Sequence, residues 1–145
     1  MTDIKARLGL LAAVVVAVAA LGAATASASS APLVFQYQKT CDESAGTCQG
    51  TLGNVTINML VTGFRATGDA AQMTTWERIT VGNDIDFTAE LSGHVSPAGF
   101  IVLNGTVTGG SFAGAQIHQR SNFDGVVGPN MTHWIGELQV QLGSA

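Results

Sequence analysis

Two histidines and a glutamate near the C-terminal end have the side chains best suited to chemistry. In residues 111–120, Ala113, Ala115 and Ile117 form an apolar set, so Gln116, His118 and Arg120 share the opposite face. In residues 132–142, Trp134, Leu138, Val140 and Leu142 are the apolar set, and His133, Glu137, Gln139 and Gln141 share the polar face. Paired as a hairpin, the two segments bring His118 and His133 together, with Arg120 and Glu137 around them. Two imidazoles and a carboxylate suit a zinc site or acid–base chemistry. The same residues also suit a hydrated outer face, and Arg120 opposes a bound cation.

A second set surrounds Gly82-Asn83, a tight-turn dipeptide. If it closes a two-residue turn, Val81 faces Asp84 and Arg78 faces Phe87. Arg78 then shares an inner face with Trp76, Ile85, Phe87 and Ala89, where a guanidinium must be paired or line a cavity. Trp76, Arg78 and Phe87 are thus candidates to line a pocket for a small apolar ligand. A register shifted by one residue places Arg78 outside instead. Asp84, Asp86 and Glu90 share one strand face, which reads as a solvated acidic face rather than a calcium loop, because no glycine-punctuated ligand loop is present.

Cys41 and Cys48 are the only cysteines, and an even count in an exported chain reads as a disulfide. A redox pair prefers C-x-x-C, and a zinc site needs more ligands nearby. No G-x-S-x-G nucleophile motif and no cofactor motif occur. Three N-x-[ST] matches, at Asn54, Asn104 and Asn130, read as chance matches in a Thr-rich chain.

Export itself is read from residues 1–28. Lys5 and Arg7 precede an Ala/Val/Leu run over 8–21, followed by overlapping A-x-A sites at Ala24-Thr25-Ala26 and Ala26-Ser27-Ala28. This is the pattern of a cleaved signal peptide, with a core too short to span a membrane comfortably. The expected product is secreted or held at the cell envelope, with no stable membrane insertion after cleavage. The composition has a bacterial look. Beyond residue 28 the positive charges are Lys39, Arg65, Arg78 and Arg120, against nine carboxylates. This acidic balance gives nucleic acid no electrostatic footprint.

Residues 29–145 read as one β domain. Val55, Ile57, Met59 and Val61 alternate with Asn54, Thr56 and Asn58. Residues 33–40, 75–81, 84–91, 100–108, 111–120 and 132–142 read as further strands, and 63–74 and 121–130 as loops. Seven or eight short strands with close turn signals predict a small antiparallel β-barrel, the alternative being a β-sandwich. Glycines inside strand patterns favour the barrel, since they suit bulges and sharp coiling.

The run Gly105-Thr106-Val107-Thr108-Gly109-Gly110-Ser111-Phe112-Ala113-Gly114-Ala115 resembles the glycine-rich strand of dirigent and allene-oxide-cyclase-like proteins. The resemblance covers about a dozen residues. It implies an eight-stranded barrel with an internal cavity, and it carries over no catalytic residue. The expectation is a secreted binding or interaction module without a cofactor. Its partner would be a small apolar ligand or a cell-surface protein. The alternatives are a lumen or surface enzyme, cyclase-like or metal-assisted, and a self-associating envelope protein.

Overall fold

The computed structural model describes residues 31–143, and the expected leader lies outside them. Eight antiparallel strands close into one barrel in chain order. They are β1 (Leu33–Asp42), β2 (Thr47–Leu52), β3 (Val55–Thr67), β4 (Ala70–Val81), β5 (Ile85–Ser96), β6 (Phe100–Gly110), β7 (Gln116–Gly128) and β8 (Met131–Gln141). Closure comes from β8 pairing back onto β1 over ten residue pairs, Leu33 opposite Val140 through to Asp42 opposite Met131. The ring therefore leaves no unpaired edge among the described strands for strand-addition self-association.

Period-two alternation sets the two faces. On β3, Val55, Ile57 and Met59 point inward; on β5, Phe87, Ala89 and Leu91 do the same. The outward set is rich in threonine, and three cross-strand pairs tie their hydroxyls together. Thr51–Thr56 and Thr62–Thr74 meet at 3.0 Å and Thr88–Thr108 at 3.1 Å.

Two segments expected as loops are strand. Residues 63–74 are the paired ends of β3 and β4, joined by a tight turn at Gly68-Asp69. A register shift between Val61 and Gly63 breaks the alternation there, which is why the pattern reads as irregular. Residues 121–130 lie mostly in β7, whose pairing with β8 shifts twice, between Phe123 and Gly125 and between Val126 and Gly128.

Antiparallel order gives the barrel two different ends. The β2–β3, β4–β5 and β6–β7 turns lie at one end, with the start of β1 and the finish of β8. That end is plugged by apolar side chains, and Phe112, held at φ 64°, packs edge-on against Phe87 with ring centroids 5.7 Å apart. The β1–β2, β3–β4, β5–β6 and β7–β8 turns lie at the other end. There the Cys41–Cys48 disulfide joins directly paired residues of β1 and β2.

Candidate functional site

The inner wall is not purely apolar. Inward positions on β1 are Tyr37, Lys39 and Cys41, and on β4 they include Met73, Thr75, Glu77 and Ile79. Ser121 and Gln119 come inward from β7. Lys39 keeps 1% of its surface exposed and Glu77 none. Ionisable groups this deep are costly unless paired.

Glu77 is held on both oxygens: Gln119 Nε2 donates to Oε1 at 2.6 Å and Thr75 Oγ1 to Oε2 at 3.0 Å. Gln119 Oε1 is itself buried without a hydrogen-bond partner. Tyr37 Oη and Ser121 Oγ share a hydrogen bond at 2.6 Å. Lys39 differs from these. Its Nζ lies 3.7 Å from Met59 Sδ and 5.5 Å from the centroid of the Tyr37 ring, and among the described residues no oxygen accepts from it. No ion pair within 4.0 Å joins it to Glu77. Burial pulls the Lys39 amine down to about 8, with the nearby Glu77 charge opposing that shift. Burial likewise raises Glu77, against the pull of Lys39, Gln119 and Thr75, and raises the Tyr37 phenol.

Lys39 and Met59 line the inner end of a cavity of about 520 Å³ that opens at the disulfide end of the barrel. Val61, Met73, Ile101 and Trp134 supply its apolar wall, and the residues of the disulfide loop form part of its rim. The size is that of a small-molecule pocket, and an apolar wall with few polar groups is the usual lining. Phe64 borders the mouth and is 65% exposed; Val126, 70% exposed, lies in the β7–β8 hairpin at the same end of the barrel. Among the rim acids, Asp42 accepts from Ser44 and Ala45 within its own turn, which lowers its pKa, and Glu43 accepts from Thr132.

The residues singled out from sequence fall elsewhere. Val81 pairs with Ile85, so the β4–β5 turn contains three residues and Arg78 faces Thr88. Trp76 and Arg78 therefore stand on the outer wall. Arg78 Nε and Nη2 donate to the two carboxylate oxygens of Asp86 at 3.0 and 2.7 Å, an exposed pair that lowers the Asp86 pKa. Phe87 does point inward, but at the plugged end. The three residues border one shallow outer groove, and none lines the lumen cavity. His118 and His133 are on the outer wall but not together. His118 faces Gln139, and His133 faces Gly125, seven residues further along β7 and on the order of 20 Å away. His118 Nδ1 meets Asn104 Oδ1 at 2.5 Å, and His133 Nδ1 meets Asp124 Oδ2 at 2.9 Å. Glu137 faces Arg120 and accepts from Gln36 at 3.1 Å. Among the described residues no three potential metal ligands cluster.

Lys39 and Glu77 escaped the sequence reading, although period two marks Lys39. It falls on the same strand face as Tyr37 and Cys41, and a disulfide-bonded cysteine belongs inside. Glu77 was hidden by the turn length, since a one-residue shift exchanges the faces of β4. No protein-family model matches the chain, and neither the curated proteins nor the solved structures compared with it contain a match.

Proposed function

We propose that this chain is an exported binding module that takes a small, largely apolar molecule into the barrel lumen through the disulfide end. The observation that carries this reading is the cavity of about 520 Å³ with an apolar wall, with one end of the barrel plugged and the other open. The signal-peptide pattern of residues 1–28 and the Cys41–Cys48 bridge support export into an oxidising compartment.

Binding of Nile red, an uncharged apolar dye, tests it. The dye should bind with one-to-one stoichiometry, be displaced by 1-octanol, and be excluded by Val61→Trp, which fills the mouth while leaving the plugged end untouched. A folded Val61→Trp protein that binds the dye as the parent does would contradict lumen entry.

The buried set of Tyr37, Lys39 and Glu77 supports a second reading, acid–base catalysis in the lumen. It ranks behind binding because both Glu77 oxygens are already engaged by Thr75 and Gln119.

A further inference from the structure

A ligand that is only apolar would leave the inner end of the cavity with its most expensive group unanswered. Lys39 is an ammonium-bearing side chain 1% exposed, lining the cavity, with a thioether and an aromatic face as its neighbours. An ammonium offers three donors and no acceptor, so it calls for oxygen. Sulfur is a weak acceptor, and the Tyr37 ring contributes through its face alone. The Glu77 carboxylate accepts from Gln119 and Thr75 and forms no ion pair within 4.0 Å with Lys39. Tyr37 Oη and Ser121 Oγ bond to each other, and Gln119 Oε1, though buried without a partner, does not accept from Lys39 either.

We infer that the lumen selects a monocarboxylate with a short apolar chain, its carboxylate accepting from Lys39 Nζ and its chain lying against Met59, Met73, Ile101 and Trp134. The inference rests on the lumen-binding reading and names the ligand class for it. A single inward cation suits one anionic group rather than a phosphate or a dicarboxylate, which would bring more charge than Lys39 can answer. The distance from Lys39 to the rim residue Asp42 is three strand residues, about 10 Å of rise, which suits a medium-length chain. A carboxylate at this point converts a buried unpaired charge into a charge-assisted hydrogen bond.

The charged and titratable groups around Lys39 are Tyr37 on its own strand, Glu77 on β4, and Asp42 and Glu43 at the rim. Burial brings the Lys39 transition to about 8, while the Tyr37 phenol is pushed higher, burial raises Glu77, and the Asp42 carboxyl is held low by its own turn. Octanoate should therefore bind with uptake of a proton above pH 8.

Calorimetric titration of the folded protein with octanoate and with 1-octanol separates the possibilities. At pH 7, octanoate should bind at least about tenfold more tightly than octanol, the worth of a charge-assisted hydrogen bond. Above pH 8 its affinity should fall by up to about tenfold per unit while that of octanol does not. Lys39→Met should bring the ratio of the two affinities close to one. Equal affinities and equal pH profiles in the parent protein would overturn the carboxylate inference and leave lumen binding standing. Failure of both octanol and octanoate to bind would overturn both. The pH profile of the parent protein decides the question even if Lys39→Met does not fold.

Discussion

The Lys39 amine sits below its ordinary range because burial penalises its charged form. The sign of the consequence follows from proton counting. Between pH 8 and 10.5 the unfolded chain holds a proton on Lys39 that the folded chain gives up, so the stability of the ligand-free barrel rises with pH through this window. The full span is on the order of 3 kcal/mol. Above about pH 10 the raised Tyr37 phenol acts the other way, because the folded chain keeps a proton that the unfolded chain loses. Urea denaturation at pH 7, 8, 9 and 10 should show the rise, and Lys39→Met should flatten it. Glu77 has the opposite leaning to Lys39: its raised pKa gives stability that is full below about pH 4.5 and is lost as pH climbs through the folded-state value. Glu77→Gln removes that decline, which the same denaturation series extended down to pH 4 would show. The sequence carried a readable sign of Lys39 in its place between Tyr37 and Cys41, whereas a charge count alone files it with the surface lysines.

At the scale of strands and turns, a single residue of turn length separated the expected site from the observed one. Gly82-Asn83 signals a turn, but Asp84 belongs to it as well, and Gly82 adopts φ 60°. Adding that residue turns Arg78 and Trp76 outward and brings Glu77 and Thr75 inward. Alternation was legible in β3 and β5 because each has one apolar and one polar face. It was obscured in β7, where two register shifts interrupt the pairing with β8. What parted His133 from His118 was the continuation of β7 to Gly128 through residues expected as loop, which puts the turn at 129–130 and His133 opposite Gly125. The inward-facing glycines carry a different constraint. A Cβ at Gly136 would stand 2.6 Å from Tyr37 Oη and run into the Arg120 carbonyl oxygen. Gly136→Ala should therefore lower stability by about 2 kcal/mol, the usual scale of overpacking, and should weaken ligand binding by displacing Tyr37 from beside Lys39. Denaturant midpoints together with octanoate titration check both effects. Arg78→Ala serves as the contrast: its exposed pairing with Asp86 lies outside the lumen, and octanoate affinity should not change.

At the scale of the whole barrel, residues 31–142 form a tube with unlike ends, and its chemistry follows from that asymmetry. Eight strands give an interior just wide enough for side chains or one small ligand, and this barrel fills one end with Phe87, Phe112 and aliphatic neighbours while leaving space at the other. The barrel class could be read from strand count, turn spacing and inward glycines. Which end stays open could not, because it depends on how side chains from eight separate strands fill a shared volume. The Cys41–Cys48 bridge closes a short loop at the open end, so reduction should lower stability by about 2.5 kcal/mol on the chain-entropy account. It should also loosen the rim, giving faster ligand exchange, measurable by stopped-flow release of Nile red with and without reductant.

Methyl-resolved NMR of methionine-labelled protein during octanoate titration tests lumen binding most directly. Met59 and Met73 line the cavity, while Met131 borders a groove on the outer wall. A ligand in the lumen should shift the Met59 and Met73 methyl signals with a common saturation curve and leave Met131 where it was. A response confined to Met131, or none at saturating octanoate, would contradict it.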